Sequence, residues 1–187
     1  MEIKIKQEKF TFFQDRYEIT IDNILIYRAK SVVFSFLSKI RILNLNNDEI
    51  GRVEKDFNFP NVNFPRYDLI FGNNSVIRLI SDSFTHYRLH ISKGTLDIYE
   101  QKGRTLGLFL NNNQVGVIEK NKKVYFGGDE YQIIIDSEEI EKELAIAFTL
   151  AYDNFFHKKG DSMMYVDLGN VLIETEKTID PNWKPKK

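Results

Sequence analysis

The sequence predicts a mainly β protein in which roughly a dozen short strands form a barrel or sandwich wrapped around one buried helix. Three observations carry this. Short alternating segments, separated by Asn-, Asp- and Gly-containing turns, follow one another from residue 3 to residue 135. One strong helix signal then occupies residues 137–157. Within it, Leu144 to Ala151 contains a single polar residue, Thr149, so the helix has no polar face and must be covered on every side. The apolar run is also too short to cross a bilayer, which takes roughly 20 residues. An ordinary amphipathic helix lying on a sheet would carry a polar stripe here, and none exists.

Taken in order, residues 3–13 alternate, with Ile3, Ile5 and Gln7 on one side and lysines on the other. Residues 17–21 alternate again, and Asp22-Asn23 is a turn pair leading into a strand at 24–34. The next strand, 39–45, carries Ile40 and Ile42 and then, after a shift, Leu43 and Leu45. Asn46, Asn47 and Asp48 tolerate the left-handed backbone of a tight turn, so 50–57 returns as the hairpin partner. Pro60 and Pro65 forbid a central strand across 57–66, the longest loop of the first half. Strands then follow at 67–71, 76–80, 87–91, 96–99, 106–110, 115–119, 124–126 and 131–135, with turns at Gly72, Lys93-Gly94, Asn111–Asn113 and Gly127-Gly128.

The helix start is marked by Asp136 as N-cap, Glu139 in capping-box position and Ile135 with Ile140 as a hydrophobic staple. Glu138, Glu139 and Glu141 suit the positive end of the helix dipole, and His157, Lys158, Lys159 and Gly160 suit its end. Residues 163–173 could add a strand or hairpin around Gly169-Asn170. The proline- and lysine-rich end, 180–187, is expected to be mobile. The domain organisation is therefore a barrel with its helix over 1–157, followed by an extension over 158–187.

An internal echo supports two related groups of strands. Residues 45–55 (LNNDEIGRVEK) match residues 110–120 (LNNNQVGVIEK) at about half of their positions, with Ile/Val exchanges among the others. Upstream of each lies a matching segment, IYRAK at 26–30 and IYEQK at 98–102.

Composition narrows the function classes. The 187 residues are 42% hydrophobic, enough for a sizeable core, and the formal charge of -1 argues against a nucleic-acid binder with a dominant basic face. With no cysteine, disulfides, thiol nucleophiles and cysteine-ligated metals are excluded together. The N-terminus lacks an apolar signal core, and a cytoplasmic location is expected.

Catalytic groups are scarce. His86 and His90 would lie on one face of a strand about 13 Å apart, too far to share a metal by themselves. Ser31 and Ser81 lack a nucleophile elbow, and no phosphate loop occurs. No catalytic residue, cofactor or metal site is expected. Two segments could meet an anionic lipid. Lys120, Lys122 and Lys123 cluster at a hairpin end, as either a headgroup patch or an ordinary solvated turn. Phe57, Phe59, Val62 and Phe64, with Arg66 nearby, could contact a membrane interface or instead plug a barrel mouth. Asp153 and Asn154 could line a pocket or satisfy backbone groups where the helix leaves the barrel.

The run of hairpins, the repeated Asn-Asn turn followed by Gly and Glu-Lys, and the late helix LAIAFTLAYDN at 144–154 together resemble the tubby C-terminal-like superfamily. Within it the chain is similar to the small LURP-one-related proteins, relatives of the phospholipid scramblases. The resemblance covers about residues 1–157. Tyr152 stands where the family usually has an aliphatic residue before the Asp-Asn ending. The resemblance implies a closed twelve-stranded antiparallel barrel threaded by one hydrophobic helix. It implies a non-enzymatic binding module for phospholipid headgroups or a membrane surface, peripheral to the membrane. The alternative is a protein-interaction or scaffold domain acting on a protein partner through strand edges or the tail around Trp183.

Overall fold

Period-two alternation decides which side of each strand faces a core, and every strand of the computed structural model contributes at least one buried apolar residue, β3 through Ala29 alone. The structure describes residues 1–8, 15–32, 39–56, 66–72, 75–83, 85–101, 105–121, 129–160 and 177–186, with side chains of the helix described as far as Phe155. The strands are β1 (Glu2–Gln7), β2 (Arg16–Ile21), β3 (Ile24–Ser31), β4 (Lys39–Asn44), β5 (Glu49–Lys55) and β6 (Arg66–Phe71). They continue as β7 (Ser75–Ser81), β8 (His86–Ile91), β9 (Gly94–Gln101), β10 (Thr105–Leu110), β11 (Asn113–Lys120) and β12 (Glu130–Ile135), before the helix α1 (Lys142–Gly160).

Each strand pairs antiparallel with its sequence neighbour, and β1 pairs with β12, which closes the sheet into a twelve-stranded barrel. The predicted barrel is borne out. Closure also corrects one part of the alternative reading. No strand of this sheet has a free edge, so recognition by strand addition has nowhere to act on it. The expected strand at 124–126 and the hairpin at 163–173 lie outside the described residues.

The shift foreseen within β4 is a β-bulge, where the β4–β5 register slips between Ile42 and Leu43. Leu43 is buried by it, whereas Leu45 falls in the turn and is half exposed. The left-handed turn positions are Asp22, Asn23, Asn47, Asn111 and Asn112, all types that tolerate positive φ. The two echoed segments become β3–β5 and β9–β11, six strands apart in a ring of twelve and thus on opposite walls. Their shared glycine has one physical reason. A Cβ at Gly51 would come within 3.1 Å of the Ile70 carbonyl oxygen, and one at Gly116 within 3.0 Å of that of Ile134.

The helix fills the barrel. All twelve residues from Leu144 to Phe155 are buried, Thr149 included, whose hydroxyl donates to the Ala145 carbonyl at 2.8 Å. Side chains from opposite walls reach it. Tyr27 of β3 donates to Glu143, Tyr17 of β2 and Tyr131 of β12 donate to Asp153, and Tyr87 of β8 packs edge-on against Phe148 and Tyr152. A helix docked outside would keep one face in water.

Its start differs from the sequence expectation of 137. The Asp136 side chain accepts from the Glu138 N–H (3.1 Å), not from Glu139, and its carbonyl accepts from Glu139 and Ile140. Residues 136–141 therefore form a turn that reverses the chain from β12 into the barrel. The helix begins where the Glu141 carbonyl accepts from Ala145 (3.3 Å), and Ile140 is buried at the entrance as foreseen.

Residues 177–186, which include most of the proline- and lysine-rich end, lie along the outside of the barrel. The Lys177 carbonyl accepts from the Gln101 side chain (2.7 Å) and the Asp180 N–H donates to the Gln114 side chain (2.8 Å). Lys177 also sits over the Phe109 ring, 5.3 Å from its centroid. The outer face of β9 and β10 carries apolar residues the alternation pattern assigns to solvent. Tyr99 and Phe109 are both buried there, packed edge-on to each other. Gly107 makes room, since a Cβ would lie 2.8 Å from the Ile179 side chain.

Candidate functional site

An up-and-down barrel places alternate connections at opposite ends. The helix enters near the β2–β3 and β4–β5 turns, where Tyr27 meets Glu143, and leaves near the start of β2 and β12. Two groups of polar residues gather toward the exit end.

The first is buried. Asp153 accepts from Tyr17 (2.7 Å) and Tyr131 (2.6 Å), while Lys120 lies 2.5 Å from Asp129 and 3.8 Å from Asp153. The Lys120 ammonium also sits 5.1 Å from the centre of the Tyr131 ring. Tyr67 reaches Asn154 at 3.5 Å. Lys120, expected in an exposed headgroup patch, is thus turned into the mouth with its side chain only 16% exposed. Alternation puts it on the face of Ile118, two residues before it, and the expectation of a solvated lysine rested only on its place at a hairpin end, which does not say that Asp129 and Asp153 will meet it. Lys122 and Lys123 lie outside the described residues.

Burial, then the Asp153 charge and its hydrogen bonds, pushes the phenols of Tyr17 and Tyr131 far above their ordinary value, and burial alone raises Tyr67. Burial and the Glu143 hydrogen bond push Tyr27 up to about 12. The unfolded chain ionises its tyrosines near pH 10. The native state thus binds these protons more tightly, and its stability is full below about pH 10 and falls as pH rises beyond it. Urea midpoints should drop steeply above that pH, with phenolate absorbance of the buried tyrosines rising only as the protein unfolds. A midpoint flat through the alkaline range would contradict the buried assignment.

The second group lies on the outer wall. Arg16, Lys30, Arg41 and Arg52 stand directly opposite one another across β2, β3, β4 and β5. Direct cross-strand neighbours have Cβ atoms about 4.5–5.5 Å apart, and like charges so placed repel. The row beside it shows the usual remedy. Lys39, Glu54, Asp68 and Arg78 mix charge signs, with ion pairs of 2.7 Å for Lys39–Glu54 and 3.1 Å for Arg78–Asp68.

In the cationic row, Arg41 and Arg52 are served by Glu49 at 2.5 and 3.3 Å. Burial works against Glu49 ionising, but its hydrogen bonds to both arginines hold the carboxyl below the usual carboxylate range. Arg16 and Lys30, with neighbouring Arg28, form no ion pair among the described residues. They border a groove of about 460 Å³ that Glu8, Glu18 and Asn47 also line.

Arg66 begins β6 and is half-buried, and its carbonyl accepts from the Asp56 N–H (2.9 Å). Phe57, Phe59 and Phe64 lie outside the described residues. The connection bearing them departs from Lys55 at the end of β5 and returns at Arg66, at the same barrel end as Arg16, Lys30 and Lys120.

The histidines follow the strand reading. His86 stacks on Tyr99 with ring centres 4.3 Å apart and bonds Asp97 at 2.8 Å, and His90 contacts Thr95 at 3.2 Å. No group of three or more metal-ligating side chains occurs among the described residues. No helix among them is long and apolar enough to cross a membrane.

A family model described as LURP-one-related matches residues 1–153, from the first strand to the helix aspartate. The chain belongs to the LURP-one-related family. Among solved structures it is similar to an X-ray structure of a protein from Arabidopsis thaliana, with a TM-score of 0.55 and 9% identity over 82% of this chain and 90% of that one. At that identity the likeness concerns the fold, and it agrees with the closed barrel. Among curated proteins none matches the chain. The LURP-one-related match ends at Asp153, so the strap formed by 177–186 lies beyond it.

The row of Arg16, Lys30, Arg41 and Arg52 is the feature that sequence reasoning missed. Its four members come from four separate segments. Only the register of each hairpin, set partly by the bulges in β2–β3 and β4–β5, aligns them. The alternation of each strand places each cation outward, but no spacing within the sequence points to the row.

Proposed function

We propose that the chain is a non-enzymatic binding module that docks on anionic phospholipid surfaces through the outer wall of β2–β5. The observation that carries this is the four-cation row, in which Arg16 and Lys30 lack ion pairs among the described residues beside an open groove. Like charges in direct register cost stability unless an anion lies among them; Glu49 serves Arg41 and Arg52, and lipid phosphates would serve Arg16 and Lys30. The position of the row supports the same reading. Arg16 and Lys30 lie toward the barrel end where the connection with Phe57, Phe59 and Phe64 departs, so phosphate contact and aromatic contact with an interface are compatible. Lys120 has a different role in this reading. It pairs with Asp129 and lies near Asp153 inside the mouth, and any contribution of the lysine cluster to binding falls to Lys122 and Lys123.

Co-sedimentation with phosphatidylcholine vesicles, with and without phosphatidylserine, tests the proposal. Binding should require the anionic lipid and weaken with salt, because exposed charges are screened within about 10 Å at 0.1 M. Basic residues near an anionic surface contribute about 1 kcal/mol each, so Arg16→Gln with Lys30→Gln should weaken binding roughly 30-fold. Both side chains face outward and the fold should be unaffected. Equal binding to neutral vesicles, or none to either, would overturn the reading.

A further inference from the structure

The tail leaves a cleft between itself and the barrel. It is anchored at one end by Lys177 and Asp180 and at the other by Lys186, whose N–H donates to Asp136 (3.4 Å) and whose ammonium pairs with Glu139 (3.3 Å). Between these anchors Pro181 and Pro185 flank Trp183. Prolines cannot donate backbone hydrogen bonds and have a fixed φ, and the closed sheet below offers no edge to pair with. The segment therefore arches over the sheet instead of joining it. The space beneath has a volume of about 570 Å³, inside the range of small-molecule sites, roughly 300–1,000 Å³.

Its floor includes Val117 of β11 and Ile134 of β12, and its roof Pro181, Trp183 and Pro185. The charged groups on its margin are Glu119, Asp180 and Lys184. Asp180 is occupied, since its carboxylate accepts from the Asn182 N–H at 2.8 Å. Glu119 is exposed and makes no side-chain hydrogen bond or ion pair among the described residues. An indole, an apolar floor and an unpaired carboxylate share one opening. An indole face attracts cations, most strongly where water is excluded.

We infer that this cleft binds a small organic cation with an apolar body. The ammonium rests against the Glu119 carboxylate and the Trp183 ring, and the hydrocarbon lies on Val117 and Ile134. Lys184 is the opposing charge, and the exposed position of its side chain leaves it free to turn toward water. This site is on β9–β12, away from the cationic wall of β2–β5, and does not depend on lipid binding.

Trp183 is the only tryptophan of the chain, so intrinsic fluorescence reports on the cleft directly. The full chain is titrated with phenethylammonium and, at matched ionic strength, with 3-phenylpropionate, a carboxylate of similar size. Saturable change is expected with the cation alone, and Glu119→Gln should weaken it about tenfold, the loss of one charged contact worth about 1.4 kcal/mol. Arg16→Gln with Lys30→Gln should leave the titration unchanged, which separates failure here from failure of the lipid reading. Unsaturable or equal responses to both probes would overturn the inference. So would saturable binding of 3-phenylpropionate that Lys184→Gln removes, since the charge preference would then be reversed.

Discussion

Ala147→Glu is expected to abolish folding. Ala147 has no solvent exposure and sits in the middle of twelve consecutive buried helix residues. Neighbours fill every direction around it, so a longer side chain has no open sector to occupy, and overpacking alone costs about 1–3 kcal/mol. The carboxylate adds more. Removing an unpaired charge from water costs several kcal/mol even after relaxation, against a total stability of about 5–15 kcal/mol. Urea titration followed by far-ultraviolet circular dichroism should show no cooperative transition. Ala151→Glu should behave alike, because Ala151 is equally buried one turn further on. A soluble, cooperatively unfolding variant at either position would mean the helix has a free face, contradicting its place inside the barrel.

The second large effect is expected at Asp153→Ala. Asp153 joins the helix to Tyr17 on β2 and Tyr131 on β12, the two strands that flank β1. β1 is the first strand of the chain and β12 the last, so this carboxylate sits behind the seam where the barrel closes. Removing it leaves two buried hydroxyls without their acceptor and strips Lys120 of one of its two carboxylates. Breaking a buried pair by deleting one partner costs about 3–5 kcal/mol. The urea midpoint should fall accordingly with the slope unchanged.

Tyr17→Phe and Tyr131→Phe should each cost less, because the aromatic ring stays and only one hydrogen bond is lost. Combined with Asp153→Ala they should add little, since the hydroxyls are already unpaired, and that non-additivity is the signature of one shared network. A drop below about 1 kcal/mol for Asp153→Ala, the range of exposed pairs, would place the carboxylate in water.

Much of the architecture was legible in the chain. Turn residues that accept positive φ, Asp22, Asn23, Asn47 and Asn111 among them, separate the strands, and alternation names their buried sides. The unbroken apolar run from Leu144 to Ala151 requires a helix enclosed on all sides. Such features depend on a residue and its near neighbours along the chain, and local sequence carries them. One local pattern is overridden by the path of the chain. Asp136 and Glu139 fit a capping box by spacing, yet Asp136 caps an earlier turn because the chain must first reverse from β12 into the barrel.

What the tertiary structure alone decided is which distant residues meet. Lys120 has the look of a solvated hairpin lysine, and becomes the partner of Asp129 and Asp153 only because β12 pairs with β11 and brings Asp129 beside it, while the enclosed helix carries Asp153 to the same place. The tail around Trp183 has a mobile composition, but it lies on the barrel because the outer face of β9 and β10 presents Tyr99, Phe109 and the bare backbone of Gly107. The cationic row likewise exists only through register. Composition and periodicity report the burial a residue needs. The partner that satisfies its charge or covers its surface is set by closure of the sheet, which brings together segments far apart in sequence.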